Sequence, residues 1–482
     1  MENKIGNSLK WSTAGEALSK IVSPVTNMIL ARVLAPKDFG ILATVNMIIT
    51  FVDLFTDSGF AKYIIQCDFL DEREADKYID VAFWTNFYLS FFLWIIIFLF
   101  RFPIAALVGN KGHENVIVIA STQLILTSFS CIQTSLYRRN FDFKILFRAR
   151  IVTAVIPLVV TVPLAVILRN YWSLVIGSIA VQLVNAVYLT IKSKWKPSLY
   201  YSFAKLHKMI SFSIWSLAEA VAYWFITWFD IFIIGSAFSS YYLGIYKNSL
   251  NMVNSIMTLV KASIIPVLFS SLSRLKNNQK EFDDIYGSLQ QTAAFIVFPM
   301  SIGIFIFREL VTTILFGSKW GEAANIIGAW ALSSGLFVVF VNFFGEAFKA
   351  KGIPKILFIY ETICLLIMIP ICYYTKNIGF WPIVYTRASV VLVQVVLGLF
   401  FLKHYVHVSI KRQLKNLVPA TICSLIMGCV ATLLKPVSST IVWQTLVILI
   451  SVFVYFGSSY CLFKNVLQQM VKTIKGRHEG IQ

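Results

Sequence analysis

Apolar residues in this chain come in unbroken runs of about twenty, twice the length of a barrel strand and without a strand's alternation, so they predict membrane-crossing helices. In the first half the runs fall roughly at residues 11–31, 41–65, 79–100, 115–137, 151–168 and 171–191. They continue at roughly 209–235, 243–272, 287–307, 324–348, 354–375, 378–402, 416–434 and 440–463. The predicted fold class is an all-α polytopic membrane protein of about 14 transmembrane helices. The first run is too long for a signal peptide and lacks a small-residue cleavage site, which predicts a retained helix and a cytoplasmic N-terminus.

Polar residues interrupt these runs at helical spacing. Ser12, Glu16, Ser19, Lys20, Ser23 and Asn27 recur at steps of three and four in the first helix, and Asn46, Thr50, Asp53 and Asp57 do so in the second. Ser216, Glu219, Tyr223, Thr227 and Asp230 mark the seventh helix, and Lys247, Asn251, Asn254, Thr258 and Lys261 the eighth. Such steps place each set on one helical face. A charge at bilayer depth costs on the order of 2.5–3.5 kcal/mol, so the four stripes together predict a hydrated cavity. A lone serine or threonine reads instead as satisfied by a neighbouring helix.

The stripes belong to a repeat. WSTAGEA at Trp11 returns as WSLAEA at Trp215, 204 positions later, and the same offset carries Gly40-Ile41 onto Gly244-Ile245. Glu16 and Glu219 match after a one-residue slip, and VQLV at Val181 echoes VQVV at Val393. Parallel six-helix halves follow, with a substrate site expected between them. The division is an N-terminal lobe with linker at 1–205, a second lobe at 206–405, and two additional helices with a tail at 406–482. The linker, KSKWKPSLYYSFAKLHKMI, mixes basic with aromatic and aliphatic residues and suits the cytoplasmic interface.

The halves are not equivalent in charge, because the offset sets Asp57 opposite Lys261 and Thr50 opposite Asn254. Lys247 and Lys261, about four turns apart on one face, suit a phosphate or other anionic headgroup, with Asn251 and Asn254 beside them. Glu16, Asp53, Asp57, Glu219 and Asp230 are candidates for proton or sodium coupling, although Glu16 and Lys20 at i and i+4 also read as an ion pair. Arg387, near the middle of its helix, suits either pairing or substrate contact. Glu346, Lys349 and Glu361 add charge to later helices. Pro24, Pro157, Pro163, Pro266, Pro299, Pro370 and Pro382 fall within predicted helices and are candidate bending points.

Composition agrees: of 482 residues 58% are hydrophobic and only 13% charged, which excludes an ordinary soluble domain. The net charge of +19 collects in alternate loops. Arg138, Arg139, Lys144, Arg148 and Arg150 share one such loop and its flanks; Lys192, Lys194, Lys196, Lys205 and Lys208 share the linker. By the positive-inside rule these mark the cytoplasmic side, put both termini there, and make anionic membrane lipids rather than nucleic acid the partner of the charge. Two loop segments, CDFLDEREADKYID and LKNNQKEFDDIYGS, are read as short surface helices. Seven cysteines lack metal or redox spacing, and His404 with His407 reads as solvated loop. No GxxxxGK[ST] segment and no nucleophile-base arrangement occurs, so the expectation is a transporter without cofactor and not an enzyme.

ILARVLAPKDFGILA followed by FVDLFTDSGFAKYIIQ, then IIPVLFSSLSRLKNNQKEFDDIYGSLQQ and LFGSKWGEAANIIGAWAL, together resemble bacterial polysaccharide flippases of the Wzx type. These belong to the multidrug/oligosaccharidyl-lipid/polysaccharide exporter superfamily, and the resemblance spans nearly the whole chain. It implies two six-helix lobes, alternating access, and a substrate of undecaprenyl-pyrophosphate carrying an oligosaccharide unit, moved to the outer leaflet of the bacterial cytoplasmic membrane. It also implies that helices 13 and 14 help form a groove for the lipid tail, and that polysaccharide polymerase machinery is a partner. The sequence departs from the similar lipid II flippase in lacking a cluster of arginines in the first lobe. Lys20, Arg32 and Lys62 stand there instead, beside Lys247, Lys261 and Arg387 elsewhere. A drug or small-cation antiporter of the same fold, and a membrane polysaccharide polymerase, are the alternatives.

Overall fold

Twenty or so apolar residues in a row leave the backbone no partner but itself in a bilayer, and the chain answers by being helical along its length. The computed structural model describes residues 22–57, 60–67 and 71–475. Residues 22–33 form α1. There follow α2 (Pro36–Asp57), α3 (Glu72–Leu99), α4 (Glu114–Arg139), α5 (Phe143–Leu168), α6 (Trp172–Lys192) and α7 (Phe203–Ala237). The second half holds α8 (Ser240–Arg274), α9 (Gln279–Ile306), α10 (Ala323–Ala350), α11 (Pro354–Thr375) and α12 (Phe380–Val406). The chain closes with α13 (Ile410–Val437) and α14 (Ile441–Lys475). Among the described residues, 13 helices, α2 to α14, are long and apolar enough to cross a membrane, and α1 is the described end of the run predicted at 11–31. The protein is an all-α, multi-pass membrane protein.

Two expectations are corrected. Of the segments read as surface helices, 72–80 and 279–288 are the first turns of α3 and α9, and 68–70 lie outside the described residues. Asp71 caps α3, accepting from the Glu74 amide at 2.6 Å, and Asn278 caps α9, accepting from the Glu281 amide at 3.4 Å. Both are the D/N-x-x-E pattern of a capped helix start, and it satisfies amide groups that would otherwise end the helix. Pro382 is not a bending point, because it lies in the first turn of α12, where its missing N–H is no loss. Pro266, Pro299 and Pro370 do lie inside α8, α9 and α11, while Pro157 opens a π-helical turn in α5, Pro157–Thr161, with Pro163 just beyond. A second π turn, Phe337–Val341 in α10, frees a backbone carbonyl, and fully buried Gln290 of α9 donates to that of Val339 at 3.1 Å.

By packing, the chain divides into compact units that end at Lys247 and begin at Asn248. The repeat read from sequence divides at 205/206, one helix earlier; α7 goes with the first unit because it packs along α2. The first unit has a core of Phe60, Ile64, Tyr78, Ile79, Phe83, Ile132 and Met209. The linker is tied to it. Buried Asp80 of α3 accepts from the Ser198 amide at 3.1 Å and from the Ser198 hydroxyl, and the Trp84 indole donates to the Ser198 carbonyl at 2.7 Å. Lys205 then stands 3.9 Å over the Tyr78 ring. Asp80→Ala removes the acceptor and is expected to cost about 1–3 kcal/mol. Limited proteolysis checks it: cleavage within 193–202 should accelerate at least tenfold, and unchanged cleavage would show that the aromatic contacts suffice.

In the second unit α9 packs against α10 and α13, and α14 packs against α13. Ile306, Phe307, Leu310, Ala431 and Val447 form one core there. The Tyr455 hydroxyl of α14 donates to the Phe295 carbonyl of α9 at 2.7 Å, so the last helix is bonded to the bundle as well as packed on it.

Candidate functional site

In the first unit α7 meets the polar stripe of α2 through Trp224, which lies outside its own stripe, while Tyr223 and Thr227 of that stripe are exposed. The Trp224 indole N–H donates to the Thr50 hydroxyl at 3.2 Å, and its ring lies 4.8 Å from that of Phe51. One turn on, Asp53 is half-buried, with the Thr127 hydroxyl of α4 at 3.5 Å. On α7, Asp230 is only 2% exposed; it accepts from the Tyr246 hydroxyl at 2.7 Å and from the Ile231 amide at 2.8 Å. Next to Tyr246, the Lys247 ammonium sits 4.3 Å from the centre of the Trp228 ring and within electrostatic reach of Asp230. A carboxylate, a phenol, an indole face and an ammonium therefore share one buried cluster.

The second unit brings together a different set. The Trp330 indole of α10 donates to the Asn254 side-chain oxygen at 3.2 Å, and the Arg387 guanidinium of α12 lies 5.3 Å from the centre of the Trp330 ring. Asn251 is exposed one turn before Asn254 on α8, and Lys261 is half-buried two turns beyond. Thr50 and Asn254, paired by the 204 offset, thus each accept an indole N–H. The tryptophans themselves, Trp224, Trp228 and Trp330, were missed from the sequence; their only signal is an indole inside an apolar helix, where its N–H must find a partner.

The remaining candidates are scattered or lie outside this description. Arg32 is exposed on α1. Glu16 and Lys20, and with them their expected ion pair, lie outside the described residues, as do the side chains of Asp57, Lys62 and Glu219. Lys247 and Lys261 share α8, but 14 positions at about 1.5 Å each separate them by roughly 21 Å, too far to hold one phosphate group together. Glu346 pairs with Lys349 at 2.9 Å, three residues on. Among the described residues no three His, Cys, Asp or Glu side chains gather as metal ligands.

A groove of about 590 Å³ runs between α9, α13 and α14. Phe295, Pro299, Gly303 and Phe307 line one side, Met427 and Ala431 a second, Tyr455 and Phe456 a third. Its walls are almost wholly apolar, and a Cβ added at Gly303 would meet nothing within 4 Å. This is where helices 13 and 14 were expected to make a place for a lipid tail.

At the beginning of α2 and α8 the repeat makes contact with itself. A Cβ on Gly40 would overlap the Ser240 carbonyl, and one on Gly244 would overlap the Pro36 carbonyl. The two clashes are related by the same 204 offset, so the crossing is reciprocal, with Pro36 and Gly40 on one helix facing Ser240 and Gly244 on the other. Asn110 braces this end, donating to the Thr44 hydroxyl at 2.5 Å and the Ile41 carbonyl at 3.3 Å.

Comparison with known proteins follows the same lines. A family model described as polysaccharide biosynthesis protein matches residues 29–325. The succinoglycan biosynthesis transport protein ExoT of Rhizobium meliloti is 23% identical over 337 residues, 69% of this chain and 66% of its own length. The lipopolysaccharide biosynthesis protein WzxC of Escherichia coli is 20% identical over 376 residues, 77% of this chain and 75% of its own. Among solved structures, the lipid II flippase MurJ in an inward closed conformation superposes with a TM-score of 0.78 at 16% identity, covering 95% of this chain and all of that one.

Proposed function

Since this chain belongs to the polysaccharide biosynthesis protein family, we propose that it is a flippase carrying lipid-linked oligosaccharide units across a bacterial cytoplasmic membrane. The observation that carries this reading is the apolar groove of α9, α13 and α14 in a molecule whose other helices bear polar and charged stripes. An amphiphile needs both: a dry channel for a polyprenyl chain and hydrogen-bonding groups for phosphate and sugar. A small organic cation, the substrate of the competing antiporter reading, has no use for the groove. The headgroup falls to Arg387, Asn251, Asn254 and Lys261 of the second unit; protonation or sodium binding at Asp53 or Asp230 of the first is the coupling step. With the N-terminus cytoplasmic, α2 and α8 begin at the outer face, so the Gly40–Gly244 crossing is a seal that must part on the outward stroke.

The test is purified protein in vesicles with undecaprenyl-pyrophosphate-linked oligosaccharide, scoring leaflet transfer with and without proton or sodium gradients. Transfer of an organic cation with none of the lipid-linked substrate would overturn the proposal. Within it, Gly303→Leu fills open space in the groove and is expected to reduce lipid transfer about tenfold with little change in melting temperature. Equal transfer by this variant would move the tail out of the groove.

A further inference from the structure

Apart from the groove and the stripes, one pocket has its own chemistry. About 260 Å³ in volume, it lies among α4, α5 and α6 and is lined by Thr134, Arg138, Arg150, Thr153, Gln182 and Asn185 above a floor of Leu146, Ala149 and Leu189. Its lining contains two guanidinium groups, two carboxamides and two hydroxyls, and no carboxylate. Neighbouring Arg139 is spent elsewhere, donating to the Ile64 and Cys67 carbonyls at 2.5 and 2.6 Å. Arg138, Gln182 and Asn185 make no side-chain hydrogen bond or ion pair among the described residues. Thr134 and Thr153 donate to the Ser130 and Ala149 carbonyls at 2.8 and 2.9 Å, which leaves their oxygens as acceptors toward the pocket. Tyr137, packed on the same Ala149 and Leu189, has a buried hydroxyl without a partner among the described residues.

We infer that this pocket holds the phosphate headgroup of an anionic glycerophospholipid from the leaflet at the basic end of the helices. Two guanidiniums with amide donors match a phosphate, and threonine oxygens match the hydroxyls of a glycerol headgroup. The volume is below the roughly 300–1,000 Å³ of pockets for drug-sized ligands, so an oligosaccharide does not fit. A lipid rather than a free anion is favoured by the flanks. Val152 and Val155 on α5 and Leu183, Val187 and Ile191 on α6 are all exposed apolar side chains on membrane helices. They offer acyl chains a surface beside the charged site, as basic pockets between transmembrane helices do.

The experiment compares retention of phosphatidylglycerol and phosphatidylcholine by the purified full chain from vesicles containing both. Wild type should prefer phosphatidylglycerol, and Arg138→Gln or Arg150→Gln should each weaken that preference about tenfold. Asn185→Leu, without a change of charge, should weaken it several-fold and serves if an arginine variant fails to fold. Arg148→Gln, exposed at the same end but outside the pocket, should retain the wild-type preference. Loss of preference in Arg148→Gln equal to that in Arg138→Gln would reduce the effect to diffuse surface charge and overturn the site. Millimolar glycerol 3-phosphate should not compete; if it displaces the lipid from wild type, the pocket is for a soluble anion and the lipid assignment fails. None of these outcomes bears on the substrate in the groove, so this site stands or falls separately from the flippase reading.

Discussion

Gly40→Ala is expected to lower substrate transfer in vesicles at least tenfold, and Gly244→Ala to do the same, although each adds a single methyl group. In an isolated helix alanine is better than glycine by about 1 kcal/mol, so propensity alone predicts a gain in stability. The crossing reverses the sign. The new Cβ would lie inside the Ser240 or Pro36 carbonyl, which are backbone atoms and cannot rotate away as a side chain can. Forcing the helices apart costs about 1–3 kcal/mol or more and acts only on the conformation in which α2 and α8 cross. The population therefore shifts toward the open arrangement, and a cycle that needs both is slowed. Because both methyl groups relieve themselves by the same separation, the double variant should be less than additive. Gly457→Ala, with nothing within 4 Å of its added Cβ and outside the groove lining, is the control and should transport normally. A melting temperature and transfer rate at wild-type level in Gly40→Ala would remove the crossing from the mechanism.

That crossing also shows how far the sequence can be read. The 204 offset was visible in Gly40-Ile41 and Gly244-Ile245 as letters, and the structure gives the letters a reason, since any side chain at either place meets a carbonyl. Apolar run length sufficed for the helices, because a bilayer allows the backbone no other arrangement. It failed at the ends of α3 and α9. There charged residues looked like surface segments, while capping by Asp71 and Asn278 carries the helix straight through them. The stripes were legible as sets, whereas their pairing was not. Periodicity says which residues share a face but not what stands opposite, so it separated Asp230 from Lys247 into different roles, although the fold places them together. It also passed over Trp224, Trp228 and Trp330, because indoles count as apolar in a pattern and as hydrogen-bond donors only in a packed structure. The groove was expected from resemblance alone; nothing in the residues of α13 and α14 announces a concave face.

Asp230→Ala is expected to destabilise the first unit by about 1–3 kcal/mol, because it removes the buried acceptor of the Tyr246 hydroxyl and the Ile231 amide and the carboxylate that acts on Lys247. The Lys247 ammonium would keep its place over the Trp228 ring, a contact worth about 2 kcal/mol when dry, which is less than the cost of a lone charge there. The Tyr246 hydroxyl would lose its acceptor as well. Asp230→Asn keeps an oxygen for Tyr246 and loses the charge, so it should fall between alanine and wild type. Lys247→Met alone should also destabilise, by removing the ammonium that acts on Asp230. The double variant Asp230→Asn with Lys247→Met removes both charges and should recover part of the loss, since neither is then left facing an absent partner. Thermal unfolding of the four proteins forms a double-mutant cycle, with a coupling of at least about 1 kcal/mol expected for side chains in one network. Additivity of the two single changes would mean that Asp230 and Lys247 are satisfied independently. In that case the coupling proposed for Asp230, which needs ammonium and proton to compete for its carboxylate, would fall.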